Sequence, residues 1–161
     1  MKLQKSILLL SVLALASAMP AFAQVEKAAI RTTGISCGTC AAFAELYLRQ
    51  LAGIDKVTIS RSNEAVMVSY KPGASFQPKD LRDVLKKTDV SVVQLQIGAR
   101  GRAQEQGGKR YFVAGKDKFV LVEGAKTPQI PRDTMVSVEG IVNDRSDPMQ
   151  LTVMTVKPVK E

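Results

Sequence analysis

The sequence predicts an α+β protein in which a βαββαβ unit is followed by a small all-β unit, and three observations carry that reading. Four short stretches between residues 27 and 97 alternate apolar and polar residues with a period of two. Two stretches between them repeat apolar residues every three to four positions, as a helix with one buried face requires. Beyond residue 108 every apolar run is short, β-type and broken by turn residues.

The elements follow in order. Lys27 to Thr33 places Ala28, Ile30 and Thr32 on one face, which suits a half-buried strand, and Gly34 ends it. From Cys40 to Leu51 the chain is rich in helix formers, with Ala44, Leu48 and Leu51 on one face and Gly53 as the stop, so a helix is expected to begin at or near Cys40. Lys56–Ser60 and Ala65–Tyr70 read as a hairpin across the turn-like Arg61-Ser62-Asn63-Glu64. A second helix is expected from about Pro78, burying Phe76, Leu81, Val84 and Leu85. Ser91 to Ile97 is the fourth strand, with Val93, Leu95 and Ile97 on one face. That order is the ferredoxin-like, split βαβ arrangement.

Ala99 to Gly108 has three glycines and no apolar period, so residues 100–108 are expected to be a linker between a domain at 24–99 and one at 109–161. Arg110–Ala114, Lys118–Glu123, Met135–Val142 and Leu151–Val156 are the later strand candidates, with Gly140 marking a bulge or bend. Short strands without a helix suggest a small barrel or open sandwich, an OB-like barrel being one candidate. At this size burial is marginal, so the unit is expected to lean on the first domain or on a second copy, which makes a homodimer through the β domain one expectation. Tyr111, Phe112 and Phe119 read as core, and Met135, Met149 and Met154 as gap fillers rather than metal ligands.

The chain has 161 residues, 45% apolar and 24% charged, the balance of a folded globular protein. Its first residues follow another pattern: basic Lys2 and Lys5, an apolar run from Ile7 to Ala16, then Ala21-Phe22-Ala23. Residues 1–23 are read as a signal peptide cleaved after Ala23, because the run is shorter than the ~20 residues that span a bilayer. A soluble periplasmic protein is expected, without membrane insertion of the mature chain. Without Lys2 and Lys5 there remain 21 basic and 15 acidic residues, spread along the chain. Dispersed charge of that kind is a solubilising surface, and with few aromatics to stack bases no nucleic-acid partner is expected.

The chemistry points to Gly34-Ile35-Ser36-Cys37-Gly38-Thr39-Cys40-Ala41, which holds both cysteines in a chain with no histidine. Two soft thiolates, Cys37 and Cys40, satisfy a near-linear site for Cu(I) or Hg(II), whereas Zn(II) wants about four ligands and would need two copies of the chain. A helix N-terminus beside the pair stabilises thiolate. The same spacing also builds thiol-disulfide oxidoreductases, and in an oxidising compartment it closes into a structural disulfide.

The segment Glu26 to Ile97 resembles the heavy-metal-associated domain, the family of small copper chaperones, the metal-binding modules of copper-transporting ATPases and the periplasmic mercury-binding protein. The resemblance rests on Gly34 to Cys40, similar to the family's Gly-Met-Thr-Cys-x-x-Cys loop, with Ile35 in place of the buried methionine. Ala44, Leu48, Leu51, Gly53 and Ile54 look like its apolar and glycine sites, and Val66, Val68 and Tyr70 like its third strand. At the end of the second helix, where the family has an aromatic or a Lys near the metal, Lys86-Lys87-Thr88-Asp89 offers Lys87 and no aromatic. The resemblance implies a non-enzymatic carrier that exchanges its ion with a metal-donor or metal-acceptor protein, a membrane transporter among the candidates. A periplasmic oxidoreductase, or an adaptor with a structural CxxC disulfide, is the alternative.

Overall fold

A computed structural model describes residues 22–159. The expected leader lies outside the described residues except for Phe22 and Ala23. The elements are β1 (Gln24–Thr33), α1 (Gly38–Arg49), β2 (Ile54–Ser60), β3 (Ala65–Tyr70), α2 (Pro78–Lys87), β4 (Ser91–Gln106), β5 (Lys109–Ala114), β6 (Asp117–Leu121), β7 (Val136–Asn143) and β8 (Gln150–Pro158). The architecture is α+β, and all the strands join one large mixed sheet.

In the first half the strand order is β2-β3-β1-β4, every pair antiparallel. Alternation sets which face is covered: Ala28, Ile30, Val66, Val68, Leu95 and Ile97 are buried, and so are Ala44, Leu48, Leu81 and Leu85 of the two helices. Pro78 starts α2 at a position where its missing N–H costs nothing. Val93 departs from the expected face and is half exposed. A register shift between Arg31 and Thr32 leaves Val93 as an extra residue, which reverses the alternation before it.

The expected linker at residues 100–108 is instead the far half of β4 and the turn after it. Ala99, Gly101 and Ala103 alternate with Arg100, Arg102 and Gln104, so the stretch has a strand's period with small residues inward. The inward side is small because the sheet closes on itself there. A Cβ on Gly101 would run into the Val113 carbonyl and stand 2.9 Å from Phe112 Cζ. Glycine-rich composition here marks crowding between backbones, not looseness.

β4 pairs with β1 over one edge, then with β5 beyond Gly101, while β7 takes the opposite edge from Leu95 to Gly101. β5 pairs with β6, β6 runs parallel to β8, and β8 pairs with β7, so β4, β5, β6, β8 and β7 form a closed ring. Gly140 stands at a register shift with no room for a side chain, its Cβ position lying 2.6 Å from the Thr152 carbonyl oxygen. Phe112, Phe119, Val138, Leu151 and Val153 fill the interior. Tyr111 does not: it is only half buried, and the Lys118 ammonium lies 4.2 Å from its ring centre. Met149 packs on the core and Met154 is exposed.

The ring leans on the first half of the chain. Tyr70, Phe76 and Phe119 form an aromatic chain with centroids 6.2 Å apart at each step. Asp117 Oδ2 accepts the Phe76 N–H at 2.9 Å, and Arg82 of α2 forks onto Asp144 of the β7–β8 connection at 2.6 and 2.8 Å. Burial pushes the Asp117 carboxyl up, against the opposing pull of the Phe76 N–H and Lys116.

Candidate metal-binding site

The candidate site is the connection between β1 and α1. Ile35 is fully buried and anchors it, the part expected of it from its apolar side chain. Gly34 has φ +95, and a Cβ there would lie 2.7 Å from the Asp89 carbonyl oxygen, so only glycine lets the α2–β4 turn close over the loop. From Ile35 the chain rises to Ser36 and Cys37, both exposed.

Helix α1 begins earlier than expected, at Gly38, with Cys37 as its N-cap. The Cys37 Sγ accepts the Cys40 N–H at 3.3 Å, the geometry by which a short polar side chain satisfies a free helix donor. Both cysteines therefore sit on the first turn, Cys37 exposed and Cys40 half buried against the core. Their Cα atoms are 5.2 Å apart and the sulfurs are joined as a disulfide. When reduced, two soft sulfurs at the positive end of a helix form a donor pair that suits a soft monovalent or divalent ion. Among the described residues no group of three or more Cys, Asp or Glu gathers to make a higher-coordinate site.

Two residues of the β2–β3 turn brace this loop, and sequence reasoning assigned them only to a turn. Arg61 Nε donates to the Ser36 carbonyl oxygen at 3.0 Å. Glu64 Oε1 accepts the Gly34 N–H at 3.0 Å, while the Glu64 carbonyl oxygen accepts the Thr32 N–H and hydroxyl, both at 2.8 Å. Topology was the available signal: β1 and β2 both run antiparallel to β3, so they are parallel to each other and their C-terminal ends lie at the same end of the sheet, on either side of β3. Lys87, the cation expected near the metal, lines the groove between the helices with Tyr47, Gln50, Leu51 and Val84. Among the described residues it makes no hydrogen bond or ion pair with the loop.

No protein-family model matches the chain. A segment of 61 residues, 38% of the chain, is 36% identical to copper-transporting ATPase 2 of Rattus norvegicus, and 65 residues are 37% identical to that of Homo sapiens. The chain spans only about 4% of the length of these relatives. Among solved structures, a CopZ metallochaperone aligns over 42% of this chain and 98% of its own, at 22% identity and a TM-score of 0.38.

Proposed function

We propose, from the premise that part of this chain is a heavy-metal-associated-like domain, that the protein captures a soft metal ion between the Cys37 and Cys40 thiolates and hands it on by ligand exchange. The observation that carries this reading is the pair of sulfurs on the first turn of α1, Cys37 exposed and Cys40 half buried, held on a buried Ile35 anchor in a chain without histidine. Local similarity to copper-transporting ATPases favours Cu(I) as the cargo, with Hg(II) as the other soft ion that two thiolates satisfy. Transfer of this kind is binding without turnover. An incoming thiol pair on a donor or acceptor, a membrane transporter among the candidates, displaces one ligand at a time.

The disulfide must open first. A dithiol reductant supplies two electrons and two protons, leaving two thiols here and a disulfide on the reductant. The same sulfur pairing favours a second reading, a thiol-disulfide oxidoreductase, although only two cysteines are present to resolve a mixed disulfide. We place the protein in the periplasm: cleavage after Ala23 leaves β1, which starts at Gln24, whole. The ring order and its one parallel pair suit an OB-like barrel, whose proposed role is to dock the partner.

The test is titration of the reduced, metal-free protein with Cu(I), Hg(II) and Zn(II) beside a Cys37→Ser, Cys40→Ser double variant. One ion bound per chain, lost in the variant, is the expected result. Failure of any ion to bind in this way, together with catalysed reduction of a model disulfide, selects the oxidoreductase.

A further inference from the structure

We infer that Arg61 selects the charge of the bound complex and so biases the Cys37–Cys40 pair toward Cu(I) over Hg(II), an inference that rests on the metal-binding reading above. Three atoms of its guanidinium, Cζ, Nη1 and Nη2, each lie 3.6 Å from the position a Cβ on Gly38 would occupy. Equal distances mean that the plane faces that position flat. Gly38 follows Cys37 directly and Ser36 precedes it, so the cation packs against the residues on either side of Cys37. Its Nε–H to the Ser36 carbonyl holds it there.

The charge of Arg61 is not already neutralised. None of the ion pairs among the described residues includes it. Glu64, the acidic residue of the same turn, directs its carboxylate to the Gly34 N–H.

Two thiolates around Cu(I) leave a net charge of minus one, whereas two thiolates around Hg(II) leave none. A fixed cation packed beside Cys37 stabilises the first complex and does little for the second. Arg61 also favours the deprotonated sulfurs, but clearing their protons costs the same for either metal. That contribution cancels in the ratio of the two affinities. The guanidinium is exposed, so screening keeps the effect modest, about fivefold at low salt, and shrinking as salt is added.

The experiment compares reduced wild type with Arg61→Gln and Arg61→Lys, measuring Cu(I) and Hg(II) affinities by competition with one small dithiol. Arg61→Gln is expected to lower the Cu(I)-to-Hg(II) affinity ratio about fivefold at low salt, with the difference fading in molar salt, and Arg61→Lys to hold the ratio within about twofold. An unchanged ratio in Arg61→Gln, with cysteine-dependent binding of both metals intact, overturns the inference and leaves the metal reading standing. Equal loss of both affinities reports loop damage in place of charge selection and also overturns it. If wild type binds neither metal through its cysteines, the metal reading itself fails.

Discussion

Cys37 caps the helix that carries Cys40: its Sγ accepts the Cys40 N–H at 3.3 Å. One cysteine therefore has a structural duty as well as a chemical one. Serine can take over the cap, since its hydroxyl accepts the same N–H, but alanine cannot. Under reducing conditions Cys37→Ser should keep a thermal midpoint near that of wild type, while Cys37→Ala should lose about 1 kcal/mol. Equal midpoints for the two variants would show that the sulfur cap contributes nothing.

Gly34 and Gly73 both have positive φ, +95 and +78, but they differ in surroundings. Added at Gly34, a methyl meets the Asp89 carbonyl oxygen at 2.7 Å, whereas at Gly73 it meets nothing within 4 Å. Gly34→Ala should cost about 3 kcal/mol, strain plus displacement of the α2–β4 turn, and Gly73→Ala about 1 kcal/mol from strain alone. Urea unfolding of both variants checks the order, which fails if Gly73→Ala is the more damaging.

The Arg82–Asp144 fork ties α2 to the ring, and Asp144 is nearly buried. Hydrogen bonding from Arg82 holds the Asp144 carboxyl below its ordinary 3.8, so the pair stabilises the fold above that value and the contribution disappears as pH falls through the lowered one. Arg82→Met should cost about 2 kcal/mol at pH 7. Its deficit relative to wild type should close in the acid range below the ordinary carboxyl value. A deficit independent of pH would mean that the packing of the Arg82 stem, not the ion pair, holds the two parts together.

Because β4 belongs to both halves, they should unfold as one. Gly101→Val, which drives a side chain into the Val113 carbonyl, should cost about 3 kcal/mol and lower the midpoint seen by probes in the first half as much as in the ring. Hydrogen exchange at Val68 in β3 and at Val153 in β8 reads the two regions separately. Independent midpoints would restore the picture of two domains on a linker.

Much of this was legible in the chain itself. Ala28 and Ile30, Val66 and Val68, and Ala44 and Leu48 announce their buried faces because strand and helix have fixed periods that local sequence must match. Leu95 and Ile97 did the same, but Val93 misled because a bulge changes the count by one and leaves no compositional mark. The cysteine loop was visible as a motif, and Ile35 as its apolar anchor.

By itself, then, the sequence determined the two sulfurs, their spacing, the lack of histidine and the order of the elements. Each of these is a property of neighbours along the chain. Tertiary structure decided that Ala99 to Ala103 is a shared strand, since glycine and alanine report crowding only when it is known what crowds them. It also decided that Arg61 of the β2–β3 turn braces the cysteine loop. Twenty-five positions separate Ser36 from Arg61, and only the parallel course of β1 and β2 puts the ends of those strands at the same end of the sheet.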